Sequence, residues 1–147
     1  MLRSVPVVGV AMRPAQVYVD AVGTAMFTAV GKVCLTSIIG EVMVDAIDNA
    51  CINCSLVVTG PADLATAVAI TDDPVGQMYS VPTIGAPLNV AALFTDLHEP
   101  VILWDADEIG ITITGGPTSE PTAGTDGHIQ WTIRYHPMTA GAYVDLA

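Results

Sequence analysis

The chain has 147 residues, of which 52% are hydrophobic and only 13% charged, with fifteen acidic side chains against four basic ones and a formal net charge of −11. A length of this order suits one domain with an ordinary core, and so much negative charge repels phosphate backbones and anionic head groups, which excludes direct nucleic-acid binding and adhesion to an acidic membrane surface. Aromatics make up only 5% of the residues, so thin layers of branched side chains are expected, as in sheet-on-sheet packing.

The first segment, MLRSVPVVGVAM, has a basic residue before a short apolar stretch that Arg13 closes. No convincing small-residue cleavage site follows, so it is read as retained, in a protein made in the cytoplasm. Residues 1–15 are expected to form an N-terminal arm, and residues 16–147 a single domain. In QVYVDAVGTAMFTAVG, Val17, Val19 and Ala21 share one face, Gly23 breaks the run, and a second run spans Met26 to Val30. Both runs read as strands. KVCLTSIIGEVMVDAI is also β-type, but its apolar phase changes near Ser37 and Gly40, which predicts a bulge in one long strand or a bend between two. ACINCSLVVTG continues the pattern up to the Gly60-Pro61 turn signal.

The alanine-rich ADLATAVAITDDP is ambiguous between a strand and a single helical turn, so at most one helical turn is expected near residues 62–70. The uncharged run from Pro74 to Thr95 contains three prolines and reads as loops and short strands, not as the roughly 20 consecutive apolar residues that a membrane helix needs. EPVILWDADEIGITITGG resembles a hairpin, with Val101 to Trp104, a turn on Asp105, Ala106 and Asp107, and then Ile109, Ile111 and Ile113 alternating with small or polar residues. Gly115 to Gly127 is a polar loop. In HIQWTIRYHP, residues 128–137, Ile129, Trp131, Ile133 and Tyr135 face one way while His128, Gln130, Thr132 and Arg134 face the other, which predicts a half-buried strand. Turn signals about every ten residues and no internal repeat predict an all-β fold: an antiparallel sandwich or barrel of jelly-roll type with eight to ten short strands.

A search for chemistry finds no centre. Cys51 and Cys54 have the spacing of half a zinc site, but a second ligand pair is missing, and with Cys34 they read as compact core residues. Asp105, Asp107 and Gly110 match three positions of a calcium loop, whereas Ile109 and Gly116 occupy ligand positions and defeat it. His128 and His136 lie at opposite ends of one strand, too far apart to share a metal. No nucleophile elbow or phosphate-binding glycine loop occurs, and Lys32 stands alone. An enzyme would have to draw on scattered residues such as His98, Asp105 and His128. No catalytic, cofactor-binding or metal-binding residue is therefore assigned, and no cofactor is expected.

MFTAVGKVCLTSIIGEVMVDAI, SLVVT, DLATAVAITDDPVGQMYSV and GHIQWTIRYHPMTAGAYV, in that order, resemble small structural proteins from the head-and-tail gene clusters of tailed bacteriophages and prophages. The resemblance covers about Ala25 to Val144 and is carried chiefly by GKVCLTSIIGEV and WTIRYHPMTAGAYV. It implies a virion component and not an enzyme: most closely a decoration or cement protein on the capsid exterior, bound to the major capsid protein and forming a homo-oligomer, a trimer above all. A tail or fibre component that holds a host ligand, through a loop such as Gly115 to Gly127, is the alternative.

Overall fold

The computed structural model describes residues 8–16, 18, 23–47, 53–59, 63–91, 96–114 and 127–147. Within them lie eleven strands and no helix: β1 (Gly9–Gln16), β2 (Thr24–Val30), β3 (Val33–Val44), β4 (Asn53–Val58), β5 (Asp63–Ala69), β6 (Met78–Ser80), β7 (Asn89–Ala91), β8 (Val101–Leu103), β9 (Glu108–Thr114), β10 (His128–Pro137) and β11 (Tyr143–Leu146). One sheet has the order β1-β10-β3-β6-β7, with β8 also paired to β3; the other has the order β11-β2-β9-β4-β5. All strand pairs are antiparallel, and the two sheets form an open sandwich, not a closed barrel.

The winding follows from the pairs. Folded about its middle, the chain pairs β4 with β5, β3 with β8, β2 with β9 and β1 with β10. Successive pairs alternate between the sheets, joined by β10 to β3 in one and by β9 to β4 in the other. That is a jelly roll. The β6–β7 hairpin is an addition on the β8 side of β3, and β11 extends the second sheet beyond β2.

Alternation explains which faces are buried. In β10, Ile129, Trp131, Ile133 and Tyr135 are all buried, as their spacing predicts. Trp131 is completely enclosed, stacked on Tyr79 with 6.3 Å between ring centroids. Opposite it on β3 is Gly40, where a Cβ would lie 2.8 Å from the indole ring. The predicted disturbance in β3 is thus two separate features. Near Ser37, Tyr135 pairs with Leu35 and Arg134 with Ser37, so Thr36 is an extra residue and a bulge shifts the inward set from Val33 and Leu35 to Ile38 and Val42. At Gly40 the strand continues, and glycine is there because the indole needs the space.

Three expectations are corrected, and one that stood open is decided. Strands number eleven among the described residues, more than eight to ten, because the three-residue strands β6 and β7 are too short for periodicity to separate. Residues 63–69, ambiguous between a strand and a helical turn, are strand β5: β4 supplies a hydrogen-bonded neighbour, and sheet pairing overrides alanine's local preference. The boundary placed after residue 15 cuts through β1, since Gly9–Gln16 pairs with β10 as an integral sheet strand. Finally, residues 101–113 are not a hairpin. β8 pairs with β3 and β9 lies between β2 and β4, so the Trp104–Asp107 turn carries the chain from one sheet to the other. The predicted strand face of Val17, Val19 and Ala21 lies outside the described residues, as do Cys51, the Gly60-Pro61 turn and residues 115–126 of the polar loop.

Candidate interaction surface

The structure does not bring the reactive residues together. His128 pairs with Val44 at one end of β3 and His136 with Cys34 at the other, a separation of roughly 30 Å at about 3.3 Å per residue. Asp105 is at the Cys34 end, where its Oδ1 accepts a 2.8 Å bond from the Gly31 amide. His98 is exposed and tied by its amide to Pro82 O beside the β3 bulge. Among the described residues, no three His, Cys, Asp or Glu side chains are placed to hold a metal. Asp107 uses its Oδ2 to accept the Trp104 amide at 2.9 Å, so the acidic pair that mimics a calcium loop stabilises the sheet-crossing turn instead. Lys32 is not isolated, because its ammonium sits 4.3 Å from the centroid of Trp104. Cys54 is buried in the core and Cys34 half-buried.

Two partly or fully buried acid–base groups serve the fold. Beyond β1, Tyr18 is buried and donates to Met26 Sδ at 3.3 Å. Loss of solvent pushes its hydroxyl pKa up to about 12, against the pull of the nearby Arg13 cation. Arg13 Nη1 donates to Met26 O at 3.0 Å and to Ala147 O at 2.8 Å, which ties β1 of one sheet to the β2–β11 side of the other. Met26 is the extra residue of a bulge in β2. Across the first sheet, Asp73 accepts a 2.7 Å bond from Tyr79 Oη, and burial raises its carboxyl pKa despite that bond.

The remaining features are surfaces. A shallow depression of about 190 Å³ lies over Gly110, lined by Gly23, Ala25, Val57, Thr59 and Glu108. At one end of the sandwich, Trp104 is 61% exposed beside Lys32. The two lateral edges differ most. The edge of β5 is covered by residues 85–88 of the same chain: Gly85 N donates to Leu64 O, Thr66 N to Ala86 O and Leu88 N to Thr66 O. The outer edge of β1 has no backbone partner among the described residues. Its inward positions are the small Gly9 and Ala11, which pack beneath Tyr135 and the core, while Val8, Val10 and Met12 project outward at 51%, 59% and 52% exposure.

Charge sets this edge apart. Neither 8–16 nor 127–137 contains any Asp or Glu, yet these two segments hold Arg13, Arg134, His128 and His136 in a chain of net charge −11. Arg134 is exposed opposite Val10. The edge escaped sequence reasoning because residues 1–15 were set aside as an arm, although the alternation of large and small residues from Val8 to Met12 was a usable signal. Comparison with known proteins finds no matching family model, no similar curated protein and no similar solved structure.

Proposed function

We propose that this chain is a structural subunit of a tailed-phage particle, a decoration or cement protein that binds the outer capsid surface. The observation that carries the proposal is the acid-free β1 edge, unpaired among the described residues, with its row of Val8, Val10 and Met12, a surface suited to contact and not to chemistry. Two further points support it. The segments most characteristic of the phage resemblance are one unit in space: β3 and β10 pair along their length, and Met138 N donates to Lys32 O while Thr139 Oγ1 accepts the Lys32 amide. The jelly roll is also a fold that capsid proteins use, although lectins use it too, so the fold by itself does not decide function.

Such a protein acts by mass action over many copies. Each weak contact between subunit and shell adds to its neighbours, and release requires several to break together. The test is to mix the purified chain with shells of the encoding phage that lack it, and to follow co-sedimentation and thermal rupture of the shells. Saturable binding that delays rupture is the expected result. Absence of the chain from purified particles, as judged by mass spectrometry, overturns the proposal, and attachment to host cells without shell binding assigns the chain to the tail or fibre.

A further inference from the structure

We infer that β1 is a pairing edge for a second copy of this chain, so that two sandwiches join by antiparallel β1–β1 contact about a two-fold axis at Val10. An unpaired strand edge presents free N–H and C=O groups at the spacing of another strand, and natural folds guard such edges with charges, prolines, bulges or covering loops. Among the described residues, such guards stand on β5, on β11 and at the far end of β1. The β5 edge is covered by residues 85–88. On β11, beside β1 on the same flank, Asp145 supplies a charge, and its Oδ1 takes up the Leu146 amide at 2.9 Å. On β1 itself, Pro14 and the register shift between Arg13 and Gln16 block the far end. Val8 to Met12, apolar and uncharged, has no backbone partner on its outer edge among the described residues.

The pattern of that stretch is self-complementary. In an antiparallel pairing centred on Val10, Val8 lies opposite Met12 of the second copy and Gly9 opposite its Ala11. The large side chains then share the outer face of the joined sheet and the small ones its inner face. A two-fold contact requires this kind of correspondence, in which each residue meets its counterpart's partner.

The self-complementary pattern selects the second copy as occupant, and charge permits it. Two chains of net charge −11 repel one another over most of their surfaces, whereas β1 and its neighbour β10 carry no carboxylate. Pairing there brings together the least repulsive parts of two acidic molecules. The two Arg134 side chains would stand three strand spacings apart, roughly 14 Å, beyond the screening length of about 8 Å at physiological salt. The arrangement is two-fold, in place of the three-fold one that the phage resemblance implies. It draws on the same β1 edge as the proposed shell contact, so a dimer closed at Val10 has to open before that edge meets a shell. Self-pairing is measured on the isolated chain and shell binding on particles, so the two fail distinguishably.

The experiment is sedimentation equilibrium of the full chain over a concentration series, with two variants. The wild-type chain is expected to form a dimer. Val10→Lys is expected to weaken dimerisation about tenfold or more, with the near-ultraviolet signal of the buried Trp131 unchanged as proof of folding. Under mild oxidation, Val10→Cys is expected to give a covalent dimer linked at position 10, because directly opposed residues of an antiparallel pair fall within disulfide reach. Val75→Cys, equally exposed but remote in the fold, is expected to give none. A wild-type chain that is monomeric or trimeric overturns the inference. So does a folded Val10→Lys variant that dimerises as strongly as wild type, or equal cross-linking through positions 10 and 75.

Discussion

The two lateral edges of this sandwich meet solvent under different constraints. At β5 the chain returns as residues 85–88 and satisfies the strand's outward backbone groups itself. At β1 no described residue satisfies them, and Val8, Val10 and Met12 stand beside them. Covering an edge costs a segment of chain and gives a monomer, whereas leaving it open keeps a template for pairing. On the proposals above, β5 is the edge that the chain finishes by itself and β1 the edge left for a partner.

Trp131→Ala breaks the comparison most severely. Removing the fully enclosed indole should cost about 3–5 kcal/mol, read as a lower urea midpoint. Because the backbone pairing of β1 among the described residues is with β10, its amides should lose hydrogen-exchange protection before those of β5. Equal loss at both edges would show that β1 does not depend on Trp131 in this way. Leu88→Ala attacks the other edge. Leu88 is buried and belongs to the covering segment, so the variant should lose about 2–4 kcal/mol, with faster exchange at the Thr66 amide and little change along β1.

Two pH experiments sharpen the comparison with smaller effects. At the open edge, the folded Tyr18 hydroxyl has its pKa raised from 10 to about 12. The folded state therefore holds that proton more tightly than the unfolded state. The resulting stability is fully present below pH 10 and is lost as pH climbs from 10 towards 12. Tyr18→Phe should match wild type at neutral pH and exceed it in strong alkali, by about 3 kcal/mol at most, as judged by melting temperature. A constant difference across that range would rule out Tyr18 as the source.

Asp73, on the far side of the first sheet, has a raised carboxyl pKa because burial disfavours its charge. Its contribution is present in acid, below the ordinary carboxylate pKa, and falls as pH rises through the raised value. Asp73→Asn, which keeps an acceptor for Tyr79 Oη, should therefore be slightly more stable than wild type at neutral pH and equal to it in acid. The group is partly exposed, so solvent limits the gain to less than about 1 kcal/mol. A variant less stable than wild type at neutral pH would mean that the charged hydrogen bond outweighs desolvation.

Legibility varied with the range of the forces involved. The faces of β10 could be read residue by residue, because a period of two in apolar side chains has one physical meaning on a half-buried strand. The bulge in β3 was visible as a change of phase. The role of Gly40 was not, since the indole it accommodates lies about ninety residues away in the chain. The step from β8 to β9 misled for a related reason. Two apolar runs about a four-residue turn look alike whether they pair with each other or with strands of opposite sheets, and only the positions of β2, β3 and β4 distinguish the cases. The candidate surface was hidden by the division after residue 15, although its alternation was plain.

Taken alone, the amino-acid order determined the all-β class, the inward and outward positions of the longer strands, and the separation of His128 from His136, because each depends on spacing along one strand. The tertiary structure alone decided sandwich over barrel, the strand order within the jelly roll, the short strands β6 and β7, the indole's seat on Gly40, and which sheet edge is covered and which is unpaired among the described residues. Those depend on hydrogen-bond partners and neighbouring rings supplied by distant parts of the chain, and no local pattern encodes who those neighbours are.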